Sequence, residues 1–487
     1  MVLARILRFT CISLITVLLA AAAMSQATGK NPVIIIPGIT GSWLVNPTTG
    51  KTAWFSLKRD KTDDLRLPMT SPVLARDRDT LRATDIIRKI ELPVLPDIEV
   101  YQTLIDALQA RGYHEAKWDK PEARDVYYTF AYDWRRDNVE SAQLLMQKIT
   151  AVKRALRQPG LKFDILAHSM GGLIARYAAM YGGADLPPEG RSPVPTWAGA
   201  AHINKLMMFG TPNEGSFSAL ESLVNGYPIV ANRKLPFIDD LRPEDVMTSP
   251  AIYELLPHRG SARFLDEKLQ PISVNLYDPK VWLDYGWTPL ADPKFLGKLR
   301  DAARLARTNK EIKPAPPGKN SNADDRLLGQ TTSAQVRSYL SAVLSRAKRF
   351  HLALDAPEKN IPIELYAYGG NCQPTTGAAV LVKKKDSWET FFDARDIKGV
   401  DGQTIKKDDV KAALYVLGDG RVTQRSLMTV DQTRTETPGQ TAATPLAGLF
   451  TTMSSFFGCS SHTKLFLDRP IQDSFLSALV VGTQKQP

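Results

Sequence analysis

Short apolar runs separated by helix-patterned stretches organise this chain. Residues 33–37, 125–131, 163–168, 205–210, 363–368 and 412–417 are near-continuous apolar segments, the pattern of strands buried on both faces of a parallel sheet. Between them the apolar positions recur at helical spacing. Tyr101, Leu104, Ile105 and Leu108 do so in Val100 to Arg111, and a second such stretch runs from Ala142 to Leu156. Alternating elements of this kind predict a mostly parallel, doubly wound α/β sheet. The connection from Gly215 to Ile361 is about 145 residues, far longer than a normal crossover. It carries Phe237, Tyr253, Leu255, Leu256, Trp282, Tyr285 and Trp287, so it is expected to fold as a cap. Within it, 309–322 (NKEIKPAPPGKNSN) reads as an exposed linker, and 432–446 reads as a loop later in the chain. No internal repeat is evident.

The strand-like run Phe163, Ile165, Leu166 stops at Ala167-His168-Ser169-Met170-Gly171, and a helix-compatible run follows at once. Strand, small residue, any residue, Ser, any residue, small residue, helix is the nucleophile elbow of α/β-hydrolases. A Ser on so tight a turn needs small neighbours two residues before and after it, so that strand and helix can approach. Ala167 takes the first of these places, where Gly is commoner.

In that fold the acid and then the His follow the nucleophile. Of six histidines (His114, His168, His202, His258, His351, His462), only His462 lies after every plausible acid. His168 neighbours Ser169, but its side chain is expected to point elsewhere, in a structural role. Among later carboxylates, Asp386, Asp393, Asp396, Asp401, Asp408 and Asp409 sit in a charged stretch. Asp419 ends an apolar run between Gly418 and Gly420, where a bending backbone lets a carboxylate reach a loop imidazole. The oxyanion hole requires one N–H from the residue after the nucleophile, Met170, and one from a loop after an early strand. Pro37-Gly38-Ile39-Thr40-Gly41 supplies that loop, with Ile39 the expected donor and Thr40 the neighbouring alternative.

These motifs together resemble the lecithin:cholesterol acyltransferase and lysosomal phospholipase A2 family. The matching blocks are PVIIIPGITGS (32–42), FAYDWRRDN (130–138), AHSMGG (167–172), FGTPNEGS (209–216), GDGRVTQRS (418–426) and SSHTKLF (460–466). The resemblance implies an α/β-hydrolase fold with an inserted cap or lid, and a triad of Ser169, Asp419 and His462. It also implies an oxyanion hole of Ile39 and Met170, with Asp133, Trp134 and Arg135 supporting the site's architecture. Residues 44–95 and 217–360 do not match in detail. The implied chemistry is acyl transfer from lipid esters through an acyl-Ser intermediate, with water or a lipid alcohol as acceptor. The alternatives are an inactive hydrolase-fold lipid-binding protein and a serine peptidase or esterase of other specificity.

Composition sets the surroundings. Residues 1–27 read as a secretory signal, with Arg5 and Arg8 before an apolar stretch and cleavage expected after Ala23 or Ala27. An uncleaved anchor is the alternative. The mature chain then divides into 28–216 and 361–487 as core, with 217–360 as the cap. Export to the periplasm or the exterior leaves Cys372 and Cys459 as an even pair in an oxidising compartment, a candidate disulfide. The formal charge of +11 becomes +9 without the signal, a balance that favours anionic lipid headgroups. The basic residues form no dense cluster of the kind nucleic acid requires. No Cys/His spacing suggests a metal and no Gly-rich phosphate loop appears, so no cofactor is expected. A peripheral contact with a membrane or lipid aggregate is expected from Trp43, Trp54, Phe55, Ile86, Ile87, Ile90, Leu92, Val94 and Leu95, set among Lys and Arg. Ordinary core packing is the competing account of the same residues.

Overall fold

A computed structural model describes residues 29–56, 65–90, 98–228, 240–301, 331–356, 361–429 and 454–480. The signal segment 1–27, the linker 309–322 and the loop 432–446 lie outside the described residues. Seven strands form the central sheet: β1 (Val33–Ile36), β2 (His114–Glu115), β3 (Val126–Thr129), β4 (Phe163–His168), β5 (Ile203–Phe209), β6 (Glu364–Gly370) and β7 (Ser454–Gly458). Their spatial order is β7-β6-β5-β4-β1-β3-β2, and every neighbouring pair is parallel.

Why the strands read as unbroken apolar runs is plain from what covers them. Successive side chains of a strand point to opposite faces. Val33, Ile35, Leu166, Met207 and Phe209 pack on one side against Leu104, Ile105 and Leu108 of helix Gln102–Ala110. They also meet Phe475 and Leu479 of helix Arg469–Val480. Ile34, Ile36, Ile165, Ala167, Leu206 and Met208 pack on the other side, against helices Asn138–Ala155, Met170–Tyr181 and Ser333–Leu354. Both faces are dry, as a parallel sheet requires.

Three strands depart from the sequence pattern, one of them the two-residue edge strand His114–Glu115, which no apolar run announces. The expected strand 412–417 is divided: Lys407–Leu414 is helical, with Asp408 and Asp409 in its first turn, where carboxylates favour the helix dipole. Only Tyr415–Gly418 is extended, and it pairs antiparallel with Gln373–Thr376 outside the main sheet. The edge position belongs instead to Ser454–Gly458. A short apolar run fits a half-buried helix as well as a strand, and the exposure of Leu417 (59%) shows that this one is not core.

The long insertion is bonded into the rest of the chain. Arg176 and Tyr181 of the elbow helix donate to Leu354 O (2.8 Å) and Ala353 O (2.9 Å) at the end of helix Ser333–Leu354. Phe264–Leu265 pairs parallel with Ala379–Val380. The Asp133-Trp134-Arg135 block fixes the opposite flank. Arg135 is 1% exposed and donates to Asp79 (2.5 Å), Asp133 (2.7 Å) and Leu65 O (3.0 Å). Just before it, Tyr132 donates from its hydroxyl to Pro37 O (2.8 Å) and from its backbone to Ser42 Oγ (3.3 Å), which ties this block to the loop after β1.

Arg135→Met leaves two carboxylates without their buried counter-charge. The expected loss is about 3–5 kcal/mol of unfolding free energy, measured by urea denaturation. A loss below about 1 kcal/mol would contradict a structural role for this ion cluster.

Candidate active site

Residues at or just beyond the carboxyl ends of β1, β4, β5 and β7 line one cavity. Ser169 sits at the tip of β4 with φ 53° and ψ −125°, a conformation costly for any residue with a Cβ. Crowding holds it there. A Cβ on Gly171 would lie 2.6 Å from Pro37 O, and one on Gly172 would lie 2.0 Å from Thr211 Oγ1. Hydrogen bonds from Ser169 N to Phe209 O (2.7 Å) and from Gly172 N to Ser169 O (3.0 Å) lock the turn.

Ser169, His462 and Asp419 form one hydrogen-bonded chain. The Asp419 carboxylate can only accept, so His462 Nδ1–H donates to Asp419 Oδ2 (2.8 Å). His462 Nε2 is then the acceptor for the Ser169 hydroxyl (2.9 Å). All three residues are buried. The other Asp419 oxygen accepts N–H bonds from Arg421 (3.0 Å) and Val422 (2.7 Å), and His462 N–H donates to Asp419 O (2.8 Å). Burial alone would raise the Asp419 carboxyl. The facing His462 and the two backbone donors outweigh it and hold the group below its usual range, so it stays ionised. Asp386, Asp393, Asp396, Asp401, Asp408 and Asp409 take no part in this chain.

The disulfide between Cys372 and Cys459, with Cα atoms 5.3 Å apart, joins the segments leaving β6 and β7. Gln373 Nε2 donates to Cys459 O (3.1 Å), and Gln373 also pairs with Gly418 beside Asp419. The acid-bearing and His-bearing loops are thereby stitched together.

His168 does more than the sequence suggested. Its Nε2–H donates to the carbonyl of His462 (3.1 Å), which leaves Nδ1 to accept from the Tyr101 hydroxyl (2.8 Å). That hydroxyl accepts from Gly38 N–H (2.8 Å). A bridge therefore runs from the loop after β1, through Tyr101 and His168, to the backbone of His462. Burial first, and the neighbouring His462 second, push His168 down to about 3, so it is neutral and this tautomer persists. Tyr101 was visible in the sequence only as a helix-face aromatic.

Above Ser169 lies a cavity of about 400 Å³. Its walls include Ile39, Trp54, Phe55, Ile87, Ile90, Ile252 and Leu255, with Thr40, Tyr227 and Arg421 among the polar members. Four of the residues expected to meet a lipid surface follow the competing account of core packing instead. Trp54 and Phe55 are 4% and 7% exposed and Ile86 and Ile87 are fully buried. Trp54 Nε1 donates to Thr40 O (2.8 Å) and its ring meets Trp134 edge-on at 5.2 Å. These side chains wall the cavity or fill the core, because lining a deep apolar site demands the same amphipathic composition as an interface. Leu92, Val94 and Leu95 lie outside the described residues.

A seven-stranded parallel sheet clad by helices on both faces, with a Ser on a strand-to-helix elbow, defines an α/β-hydrolase fold. The family model of lecithin:cholesterol acyltransferase matches residues 65–289, and the chain is similar to that family. The match spans Ser169 and the Asp133–Arg135 block and ends before Asp419 and His462. No curated protein matches the chain. Among solved structures, the crystal structure of the Tle4–Tli4 complex aligns over 93% of this chain and 98% of that one, with a TM-score of 0.51 and 12% identity. That likeness shows the fold. The crystal structure of Bacillus licheniformis lipase BlEst2 in mature form aligns over 93% and 94%, with a TM-score of 0.33 and 11% identity, too distant to bear on function. The family match supports acyl transfer or hydrolysis on lipid esters as the class of activity. Among the described residues, no helix is long and apolar enough to cross a membrane.

Two expectations follow. Tyr101→Phe strands a buried Gly38 N–H and His168 Nδ1, so stability should fall by about 1–3 kcal/mol in denaturant unfolding. His168 protonates at its ordinary 6.5 when unfolded and near 3 when folded, so between those values the unfolded state binds more protons. Its contribution to stability is complete above 6.5 and is lost as pH falls toward 3. The fall in unfolding free energy from pH 7 to pH 4.5 should therefore be shallower in His168→Gln. An unchanged slope would contradict the assignment of a neutral His168.

Proposed function

We propose that this protein is a serine acyl-transfer enzyme for lipid esters, working through an acyl-Ser169 intermediate. The observation that carries the proposal is the Ser169–His462–Asp419 hydrogen-bond chain opening onto an apolar cavity. In this reading Ser169 Oγ attacks the ester carbonyl while His462 Nε2 takes its proton. The Oγ–C bond forms, the tetrahedral oxyanion collapses, and the C–O bond to the alcohol breaks as His462 returns the proton to it. Water or a second alcohol then repeats the sequence in reverse and regenerates Ser169. Asp419 holds the imidazole in the competent tautomer and stabilises its positive charge.

The oxyanion is assigned to Met170 N–H, at the positive end of the helix dipole, and Ile39 N–H. Gly38 N–H is engaged by Tyr101, and Ile39 is next along the same loop, which supports that choice. The apolar walls suit an acyl chain, which favours lipid esters over peptides. The intact Ser–His–Asp chain disfavours an inactive binding scaffold. We also propose export, on the strength of the leader-like residues 1–27 and of the disulfide, which suits an oxidising compartment. Lipid contact would then be peripheral.

A serine-reactive fluorophosphonate should label the wild type and fail to label Ser169→Ala. Ser169→Ala and His462→Ala should each lower ester turnover by several orders of magnitude, about equally, because the members act as a unit. Asp419→Asn should cost heavily, while Asp386→Asn, Asp393→Asn and Asp396→Asn stay close to wild type. A fully active Asp419→Asn variant would overturn the acid assignment. Incubation with acyl-labelled phospholipid, with and without glycerol or a sterol, identifies the acceptor: label in free fatty acid means hydrolysis, and label in a new ester means transfer.

A further inference from the structure

Two charged groups line the cavity without a part in the chemistry above: Glu99, which is exposed to solvent, and Arg421. Arg421 follows the Asp419 loop, lines the same cavity as Ser169, and is half-buried. Its Nη1 donates to the Tyr227 hydroxyl (3.4 Å), and its guanidinium lies over the Tyr227 ring, 5.4 Å from the centroid. Tyr227 in turn stands 3.5 Å from Thr40 Oγ1, beside the loop that carries Ile39. The guanidinium is thus held between the acid loop and the loop after β1, on the rim of the space where an ester would lie.

The charge there is not part of a contact ion pair. Among the described residues, no carboxylate lies within the 4.0 Å ion-pairing distance of Arg421. Asp419 is engaged with His462. Ionised Asp419 and, after it, Glu221 act on the Arg421 guanidinium only through space, and burial pushes the Glu221 carboxyl up. A half-buried guanidinium, with a neutral hydroxyl as its one hydrogen-bonded side-chain partner, is poised to receive an anion. Its backbone is separately committed. Arg421 N–H donates to Asp419, and Arg421 O accepts from Ser216 Oγ (2.5 Å). The side chain is therefore not needed to shape the acid loop.

We propose that Arg421 is a specificity-determining residue that binds an anionic oxygen group on the alcohol portion of the ester, selecting net-anionic substrates such as phosphodiesters that carry no ammonium. The inference rests on the proposed acyl-transfer reading. An acyl chain carries no anion, so the group that pairs with Arg421 must belong to the alcohol side. A zwitterionic alcohol portion would bring its ammonium toward Arg421. It would also find the Tyr227 face, which could have stacked on a quaternary ammonium, already covered by the guanidinium. The net positive charge, +11 for the whole sequence and +9 without residues 1–27, acts in the same direction at long range.

The test uses binding, so that it does not depend on turnover. Full-length Ser169→Ala protein is titrated calorimetrically with submicellar dihexanoylphosphatidylglycerol, dihexanoylphosphatidylcholine, dihexanoylglycerol and hexanoate. The phosphatidylglycerol should bind roughly tenfold or more tighter than the phosphatidylcholine and the diacylglycerol, the scale of one hydrogen-bonded charge pair. Adding Arg421→Met should bring the three together, and Arg421→Lys should restore part of the gap. Equal binding of the three lipids with Arg421 present would overturn the proposal. So would a preference that survives Arg421→Met, or an Arg421-dependent affinity for hexanoate alone, which would make the group a product-carboxylate site. Thermal unfolding of each variant shows whether it folds, and the Lys variant carries the test if the Met variant does not. An absent acyl-Ser169 adduct in the wild type, with the Arg421-dependent preference intact, would instead count against the acyl-transfer reading.

Discussion

Everything at the site follows from how closely the elbow helix approaches β1 and β4. Ser169 holds positive φ because the strand must reverse into a helix within one residue. The helix can start there only because Gly171 lies where a Cβ would meet the carbonyl oxygens of Pro37 and Ile36. That strain costs on the order of 1–3 kcal/mol. It is offset by the two-sided core, in which alternate residues of β1, β4 and β5 bury against helices on both faces. The result is a serine hydroxyl held at the end of a rigid strand, above the sheet, with a helix N-terminus beneath it.

The remaining groups arrive on loops, and each loop is tied down. The Asp419 turn is fixed by two N–H bonds to its own carboxylate and by pairing of Gly418 with Gln373. The His462 segment is fixed by the disulfide three residues upstream and by the Asp419 carbonyl. His168 then closes the frame by bonding the His462 backbone on one side and Tyr101 on the other. One uninterrupted set of hydrogen bonds thus runs from Gly38 to Asp419 through Tyr101, His168 and His462. In such a network a small displacement at one member is felt by the reacting atoms.

How much of this the chain declares in advance depends on how local the cause is. The elbow is legible because its sterics act over five residues. Asp419 and His462 are legible from chain order and from the glycines around the acid. The parallel core is legible because strands covered on both faces become long apolar runs. Contacts at long range are not. His168 looks like a bystander until Tyr101 and the His462 carbonyl, 67 and 294 residues away in sequence, are brought to it. The run 412–417 looks like a core strand because six apolar residues fit a helix end as well. Ser454–Gly458 has too few apolar residues to declare itself. Trp54 and Phe55 have the composition of an interface, and only burial reveals that they wall the cavity.

The central claim is that an acyl group resides on Ser169 during turnover. The direct measurement is acid-quenched mass spectrometry of the wild-type protein mixed with excess long-chain p-nitrophenyl ester, followed by peptide mapping. The account predicts a mass increase equal to one acyl group within the turnover time, mapped to the peptide containing Ser169 and absent after hydroxylamine treatment. Steady turnover with the acyl group found on another residue, or with Ser169 unmodified at every quench time in the pre-steady state and after, would contradict it.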